Sequence, residues 1–415
     1  MIITKKHREV LDAILKKIIP SKEDIEKQYK IQKEILDKIK VPYAKAMVGG
    51  SGAKQTWLKD THDIDIYVKF SYSKYNKKSE QLSDILSKYL KKSFKKIIRI
   101  HGSRDYFQVN YKKHTIEIVP ILEIKNKKQA KNITDYSTFH VDYITKQIKK
   151  SKNLSNEIRV AKVFAKANRF YGAESHIKGF SGYALELLVS HYGSFLKFIT
   201  AVSKWKSTTI IGNKKTASEL NWAKKVSPLI LIDPVQPDRN VAAALSNEQY
   251  KNIISTAKAF LKKPSFSFFE KKEVDIISLQ RKGHLTIITA RPITAKKDVA
   301  GAKALKAFEY LVNNTSKFEV VDSFFDYADN STTFYVVTKK SKLSKEYKHE
   351  GPPITNKTAY LAFKKANKGL IKVDKKEKRY YIMKKRKNQD VLDHIKSLLT
   401  QEEVTSRIKD ITIYN

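Results

Sequence analysis

The sequence predicts an α+β protein with a mixed-sheet head, a helical neck, an α/β body and a basic tail. Three observations carry this prediction. Polar and apolar residues alternate in "DIDIYVKF" (63–70) and "TIEIVPIL" (115–122), the period-two pattern of strands. From about 140 to 263 apolar residues recur at helical spacing. From about 274 the period returns to two, interrupted by one long helical stretch.

The elements follow in order. Residues 1–40 place Ile and Leu at helical spacing among charges, so the N-terminus reads as amphipathic helix and has no secretory pattern. "AKAMVGG" then approaches a turn as a short strand, and "DIDIYVKF" is the first long strand. "SEQLSDILSKYLKKSF" reads as a helix, and "KKIIRIHGSRDYFQVNYKKHTIEIVPILEI" as successive strands. This order implies a small mixed sheet with helices on one face. Helices are expected in "HVDYITKQIKK", "SNEIRVAKVFAKANRF", "SGYALELLVSHYGSFLKFITAVSKW" and "NVAAALSNEQYKNIISTAKAFLKK", the last opened by the cap-like "DPVQPD". "VDIISLQ", "HLTIITARP", "FEVVDSFFDY" and "STTFYVVTK" read as strands around the helix "GAKALKAFEYLVNN". The C-terminal part combines a helix, the basic strands "LIKVDKK" and "KRYYIMKKRK", and a last helix around 390. The boundaries expected are 1–145 for the head, 146–264 for the neck, 265–345 for the body and 346–415 for the tail.

Composition narrows the function. The 415 residues suffice for several domains, and 41% hydrophobic residues suffice for real cores. No apolar run approaches the length of a membrane span. Cysteine is absent, which excludes disulfides and thiolate metal sites and makes a cytoplasmic protein the default. The net charge of +41 favours a polyanion partner, and nucleic acid is the best reading because Lys and Arg contacts to phosphate supply most non-specific affinity. A genome biased toward Lys would raise the charge as well, but the surface would still bind RNA or DNA.

The chemistry concentrates around "MVGGSGAKQTWLKDTHDIDIYVKF" (47–70). It is not a P-loop, which requires Gly immediately before Lys, because Ala53 precedes Lys54. Asp63 and Asp65 stand two apart on a strand, so they project from one face about 6.5 Å apart at Cα. Carboxylates that close repel each other unless a cation lies between them, and hard oxygen ligands suit Mg²⁺. Glu117, between Ile116 and Ile118, is the candidate third acid from a neighbouring strand. Gly49, Gly50 and Ser51 lie 12 to 14 residues upstream of Asp63, where backbone N–H groups can approach an anion. Lys54 adds a point charge suited to a triphosphate. Taken alone, D-x-D also describes a solvated strand face.

The order G-S, T-W, D-x-D and a later acid resembles the nucleotidyltransferase superfamily of DNA polymerase beta. "RFYGAESHIKGFSGYALELLVSHYGSF", "IDPVQPDRNVAAALS" and "HEGPPI" narrow the resemblance to the archaeal class I CCA-adding enzymes, over nearly the whole chain. The resemblance implies a polymerase-beta-like head that adds C, C and A to the 3′ end of tRNA from CTP and ATP. It also implies that Mg²⁺ serves as cofactor and that no template is used. It further implies that Asp63, Asp65 and Glu117 bind metal, the last where the family usually has Asp. Gly50, Ser51, Lys54, His140, Lys162 and Tyr171 are then implied in nucleotide binding, and Arg239 in reading the base. Each has a plainer alternative. Tyr171 could be helix-end packing, His140 a surface histidine, Lys162 one more solvated lysine, and Arg239 the ion-pair partner of Asp238. Ser181 reads as the cap of the helix beginning "GYALELL". A homodimer stays open. The other readings are a poly(A) polymerase or related RNA nucleotidyltransferase, and an RNA-binding protein with a decayed head.

Overall fold

The computed structural model describes every residue except 1, 2, 60, 62, 295, 296, 329, 330, 368 and 415. It divides into two compact units, 1–272 and 273–415.

In the first unit, α1 (Lys5–Ile18) and α2 (Lys22–Lys38) precede the sheet. Then come β1 (Ala44–Val48), the single-turn α3 (Gly50–Lys54), β2 (Asp63–Ser71), α4 (Tyr72–Tyr75), α5 (Leu82–Ser93), β3 (Ile98–Ile100), β4 (Tyr106–Tyr111) and β5 (His114–Glu123). The sheet order is β1-β2-β5-β4-β3. It is mixed, as expected: β2 runs parallel to β5, and the other neighbours are antiparallel. The alternation in β2 does the sorting. Ile64, Ile66, Val68 and Phe70 are buried with Leu82, Leu86 and Leu90 of α5, while Asp63, Asp65 and Tyr67 take the other face.

The helical part comprises α6 (Ser137–Lys150), α7 (Leu154–Ala167), α8 (Gly182–Tyr192), α9 (Phe195–Val202), α10 (Lys214–Glu219) and α11 (Asn247–Lys262), with the short strands β6 (Thr209–Ile211) and β7 (Leu229–Leu231). Its core joins Phe164, Leu185, Phe195, Phe198 and Phe260. Val10, Leu11 and Ile14 of α1 pack into this helical core, not into the sheet core. Ser181 caps α8 by accepting from Ala184 N–H at 3.1 Å, the structural role read from the sequence. Gly193, at φ +84°, divides the long expected helix into α8 and α9. "DPVQPD" is not a helix start. The cap of α11 is Ser246, whose hydroxyl accepts from Gln249 N–H at 3.1 Å, and residues 233–245 form loop and turns.

The second unit holds α12 (Ile276–Gln280), β8 (His284–Pro292), α13 (Lys297–Thr315), β9 (Val320–Ala328), β10 (Ser331–Thr338), β11 (Glu346–Pro353), α14 (Lys357–Ala366), β12 (Lys372–Asp374), β13 (Arg379–Lys385), α15 (Val391–Leu399), α16 (Glu402–Thr405) and β14 (Ile408–Tyr414). "VDIISLQ" is not a strand: Asp275 accepts from Ser278 N–H at 2.9 Å and starts a single helical turn. The sheets are β14-β8-β10-β9 and β11-β13-β12. Because β14 pairs with β8, the end of the expected tail completes the body sheet, and Val391, Ile395 and Ile408 share a core with Ile288 and Phe334. Among the described residues no helix is long and apolar enough to cross a membrane.

Candidate active site

The acids lie on β2 and β5. The register sets Asp65 directly opposite Glu117, and Asp63 opposite Thr115. The turn 49–51 is clamped onto Asp65. Gly49 N–H donates to the Asp65 carbonyl at 2.8 Å, and Ser51 N–H donates to its carboxylate. Gly50 N–H donates to the Tyr67 hydroxyl at 3.3 Å. Gly50 has φ +50°, and a Cβ there would lie 1.6 Å from Asp65 Oδ2, so both conformation and space demand glycine. The amides expected to meet an anion are therefore already engaged, those of Gly49 and Ser51 with Asp65 and that of Gly50 with Tyr67. Burial pushes the Asp65 carboxyl up and Asp63 adds to it, while Lys54, Lys162 and the Ser51 N–H oppose them.

Among the described residues no three His, Cys, Asp or Glu side chains are gathered closely enough to hold a metal ion as they stand. The donors nonetheless fit a hard divalent cation. They are all oxygens, they share one sheet face, and the half-buried Asp65 is disfavoured as an anion by the charge of Asp63, which a cation would relieve.

A second cluster centres on Glu186 of α8, which is 1% exposed. Its Oε2 accepts from Lys54 Nζ at 2.6 Å, and its Oε1 from Lys162 Nζ and Thr56 Oγ1, each at 2.9 Å. Burial works to raise this carboxyl, but the two ammoniums overrule it and hold it down to about 2. Lys162 is thus no solvated lysine: it is 4% exposed, and its own pKa is lowered by burial and by Lys54. Tyr171 is half-buried, with Lys166 Nζ 5.2 Å from its ring centre. Its hydroxyl is pushed up by burial and by the charges of Glu186, Asp65, Glu174 and Asp63.

A third cluster centres on Asp233, which is fully buried. It accepts from His140 Nε2 at 3.0 Å, Tyr183 Oη at 3.1 Å, Val235 N–H at 2.8 Å and an Arg239 terminal nitrogen at 3.4 Å. These donors outweigh burial and keep the Asp233 carboxyl below the ordinary carboxylate range, while burial and Asp233 push the Tyr183 hydroxyl up. Arg239 does not pair with Asp238, which instead takes Lys224. His140 is not a surface histidine, since its side chain is 14% exposed. Helix α8 unites the clusters: Tyr183 and Glu186 are three residues apart, hence on one face.

Sequence reasoning did not single out Glu186, Asp233, Tyr183, Thr56 or Lys166. One signal was available, a lone carboxylate in each of two apolar runs, "YALELLV" and "LILIDP".

The family described as "tRNA nucleotidyltransferase, second domain" matches residues 156–270, and "CCA-adding enzyme, C-terminal domain" matches 302–411. The chain is 36% identical over 368 residues to a CCA-adding enzyme of Nanoarchaeum equitans, covering 86% of this chain and 89% of that protein. The chain belongs to the CCA-adding enzyme family. A second CCA-adding enzyme, from Methanocaldococcus jannaschii, is 30% identical over 398 residues, covering 88% of this chain and 85% of its own. Family membership makes the chain an enzyme, a nucleotidyltransferase. The fold agrees. A cytoplasmic RNA terminal U-transferase superposes with TM-score 0.51 at 12% identity, covering 65% of this chain and all of the other. The Cid1 poly(U) polymerase does so with TM-score 0.51 at 13% identity, covering 65% and 99%. The match to the polymerase-beta-like class expected from the sequence is therefore one of architecture.

Proposed function

We propose that the chain completes tRNA 3′ ends, adding C, C and A from CTP and ATP without a template, and that Asp63, Asp65 and Glu117 form its catalytic centre. The observation that carries the reading is the register of Asp65 opposite Glu117 on parallel strands, with Asp65 clamped by the Gly50 turn. In each cycle the RNA 3′-hydroxyl oxygen bonds to the α-phosphorus, and the bond to the departing pyrophosphate breaks. Glu117 accepts the hydroxyl proton. Asp63, Asp65 and Glu117 would hold the divalent metal, taken here as Mg²⁺, which when bound supplies charge neutralisation at the transferring phosphoryl group. Lys54 and Lys162 set a positive field for the triphosphate. Glu186 fixes both ammoniums in place, and they also act on the Asp65 carboxylate beside them. Arg239, held by Asp233, presents donors to the acceptors of C and A, and UTP and GTP would meet those donors with an N–H.

The test is incorporation of each labelled nucleotide into tRNA lacking its terminus, followed by sequencing of the product end. Asp63→Ala and Asp65→Ala are expected to lose at least about 1,000-fold in rate, the scale of losing one transition-state stabiliser, while RNA binding persists. Metal-dependent incorporation near the wild-type rate in either variant would remove the assignment. A homopolymer of A in place of CCA would favour a poly(A) polymerase.

A further inference from the structure

Trp222 is 80% exposed, although tryptophan is among the more buried residue types on average. The other two tryptophans are half-buried, and Trp205 stacks on Tyr250 at 5.6 Å between centroids. Nothing in the packing of residues 221–225 calls for a large apolar side chain facing water.

The backbone beneath it is nevertheless pinned. Asn221 Oδ1 accepts from Ala223 N–H at 2.8 Å, and Lys225 Nζ donates to the Ser218 carbonyl at 3.1 Å. Asn240 Nδ2 donates to the Lys224 carbonyl at 2.9 Å, and Lys224 Nζ donates to the Asp238 carbonyl at 2.5 Å. The last two bonds tie the segment to the residues on either side of Arg239. A hollow of about 500 Å³ lies between the two segments, lined among others by Thr216, Asn221, Lys224, Pro237 and Asp238.

The surroundings are basic. From Lys204 to Leu231 there are six lysines and one acid, Glu219. Lys204, Lys206, Lys214 and Lys215 are all exposed. An aromatic face among exposed cations is how proteins bind unpaired nucleic acid: bases stack on the ring and lysines meet the flanking phosphates. A protein partner would want a contiguous apolar patch instead. Besides Trp222, only Val226 and Ile210 are exposed large hydrophobics among the described residues from 204 to 231.

We propose that Trp222 is a stacking platform for an unpaired base of the RNA substrate, close in the fold to the loop that carries Arg239. This rests on the reading that the chain acts on RNA. The platform orients the strand and takes no part in the chemistry.

The test uses the full chain and tRNA lacking its terminus. Trp222→Ala is expected to raise the KM for RNA by about 10-fold, within the range for losing one stacked base, and to leave the KM for CTP and ATP unchanged. Trp222→Phe keeps a ring and should stay within about threefold of wild type. Acrylamide quenching supplies a readout independent of activity. RNA should shield the wild-type emission, and the shielding should vanish in Trp222→Phe. Wild-type KM for RNA in Trp222→Ala, with quenching indifferent to RNA, overturns the proposal. A dimer that dissociates on Trp222→Ala with RNA affinity unchanged overturns it in favour of self-association. Failure of the parent reading looks different: wild-type protein then neither binds nor extends the RNA.

Discussion

Glu186 and Asp233 are both buried carboxylates that gather the side chains implied in nucleotide binding, yet they are built differently. Glu186 is surrounded by two ammoniums and a hydroxyl, of which Lys162 and Thr56 are buried and Lys54 is largely so. Asp233 holds a histidine, a tyrosine, a backbone N–H and an arginine whose side chain is 33% exposed. The first is a closed cluster in which two cations share one carboxylate and also act on Asp65. The second leaves its cation within reach of solvent and at a long 3.4 Å, so the guanidinium can turn to a base without leaving a bare buried charge. On the proposed function, the phosphates would meet a fixed field at the Glu186 cluster and the base a donor that can be redirected at the Asp233 cluster.

The comparison breaks most readily on stability. Glu186→Gln removes the carboxylate that bonds both Lys54 and Lys162 and should cost about 3–5 kcal/mol, the range for breaking a buried ion pair. Asp233→Asn keeps the shape, retains acceptor capacity on Oδ1, and leaves partners that are neutral or partly solvated. It should cost about 1–3 kcal/mol. Denaturant midpoints measure both. An Asp233→Asn cost equal to that of Glu186→Gln would mean that the base-end cluster is equally locked.

Acid separates the clusters further. The Glu186 carboxyl is depressed from an ordinary 4.5 to about 2. A depressed acid contributes stability that is fully present above its unfolded pKa and is lost as pH falls through the folded value. The stability gap between wild type and Glu186→Gln should therefore be flat from pH 7 to 5. It should shrink below about pH 4.5 and lose about 3 kcal/mol by pH 2. A gap that does not change with pH would show that Glu186 is not the anion of its cluster.

Function sharpens the same contrast. Lys54→Ala leaves Glu186 paired one-to-one with Lys162, so stability should move by less than about 1 kcal/mol while the KM for both nucleotides rises. Arg239→Ala should reduce CTP and ATP use by about 10- to 100-fold, the value of a charge-assisted hydrogen bond, and weaken rejection of UTP and GTP. Steady-state kinetics with four nucleotides distinguishes the two variants. Unchanged selectivity in Arg239→Ala would make that arginine an ion-pair partner only.

Local chemistry explains what could be read in advance. The alternation in "DIDIYV" sets both the strand and the shared face of Asp63 and Asp65, because side-chain direction follows from sequence alone. Glu117 was accessible by the same rule, as an acid inside an apolar strand. Glu186 and Asp233 were not, because their partners are far away in the chain: Lys54 is 132 residues from Glu186, and His140 is 93 from Asp233. A solvated Lys162 stayed open as the alternative to nucleotide binding because nothing local shows that α7 is buried on both sides of it, by Ile158 and Ala165. "VDIISLQ" has strand composition, but a capping aspartate outweighs propensity over five residues.

The smallest effect lies at the opposite extreme from Glu186, among cations that have no structural duty. On and around β12 and β13, Lys372, Lys375, Lys376, Lys378 and Lys385 are exposed. The neighbouring rings are already engaged. Tyr380 lies 4.4 Å from Tyr360 between centroids, and Lys348 sits 5.0 Å from the centre of Tyr381. The lysines, not the tyrosines, are thus the part free to meet RNA, and their interaction with it is electrostatic. Each phosphate that is no longer neutralised should flatten the slope of log affinity against log salt by about 0.9, by analogy with duplex DNA. Changing these five lysines to Gln should weaken tRNA binding modestly at low salt and reduce the slope by about 1–3, with kcat at saturating tRNA unchanged. Binding titrations at several salt concentrations check it. An unchanged slope would make this edge a solvated charge run, and the phosphate-binding cations would then be sought elsewhere, first at the lysines around Trp222.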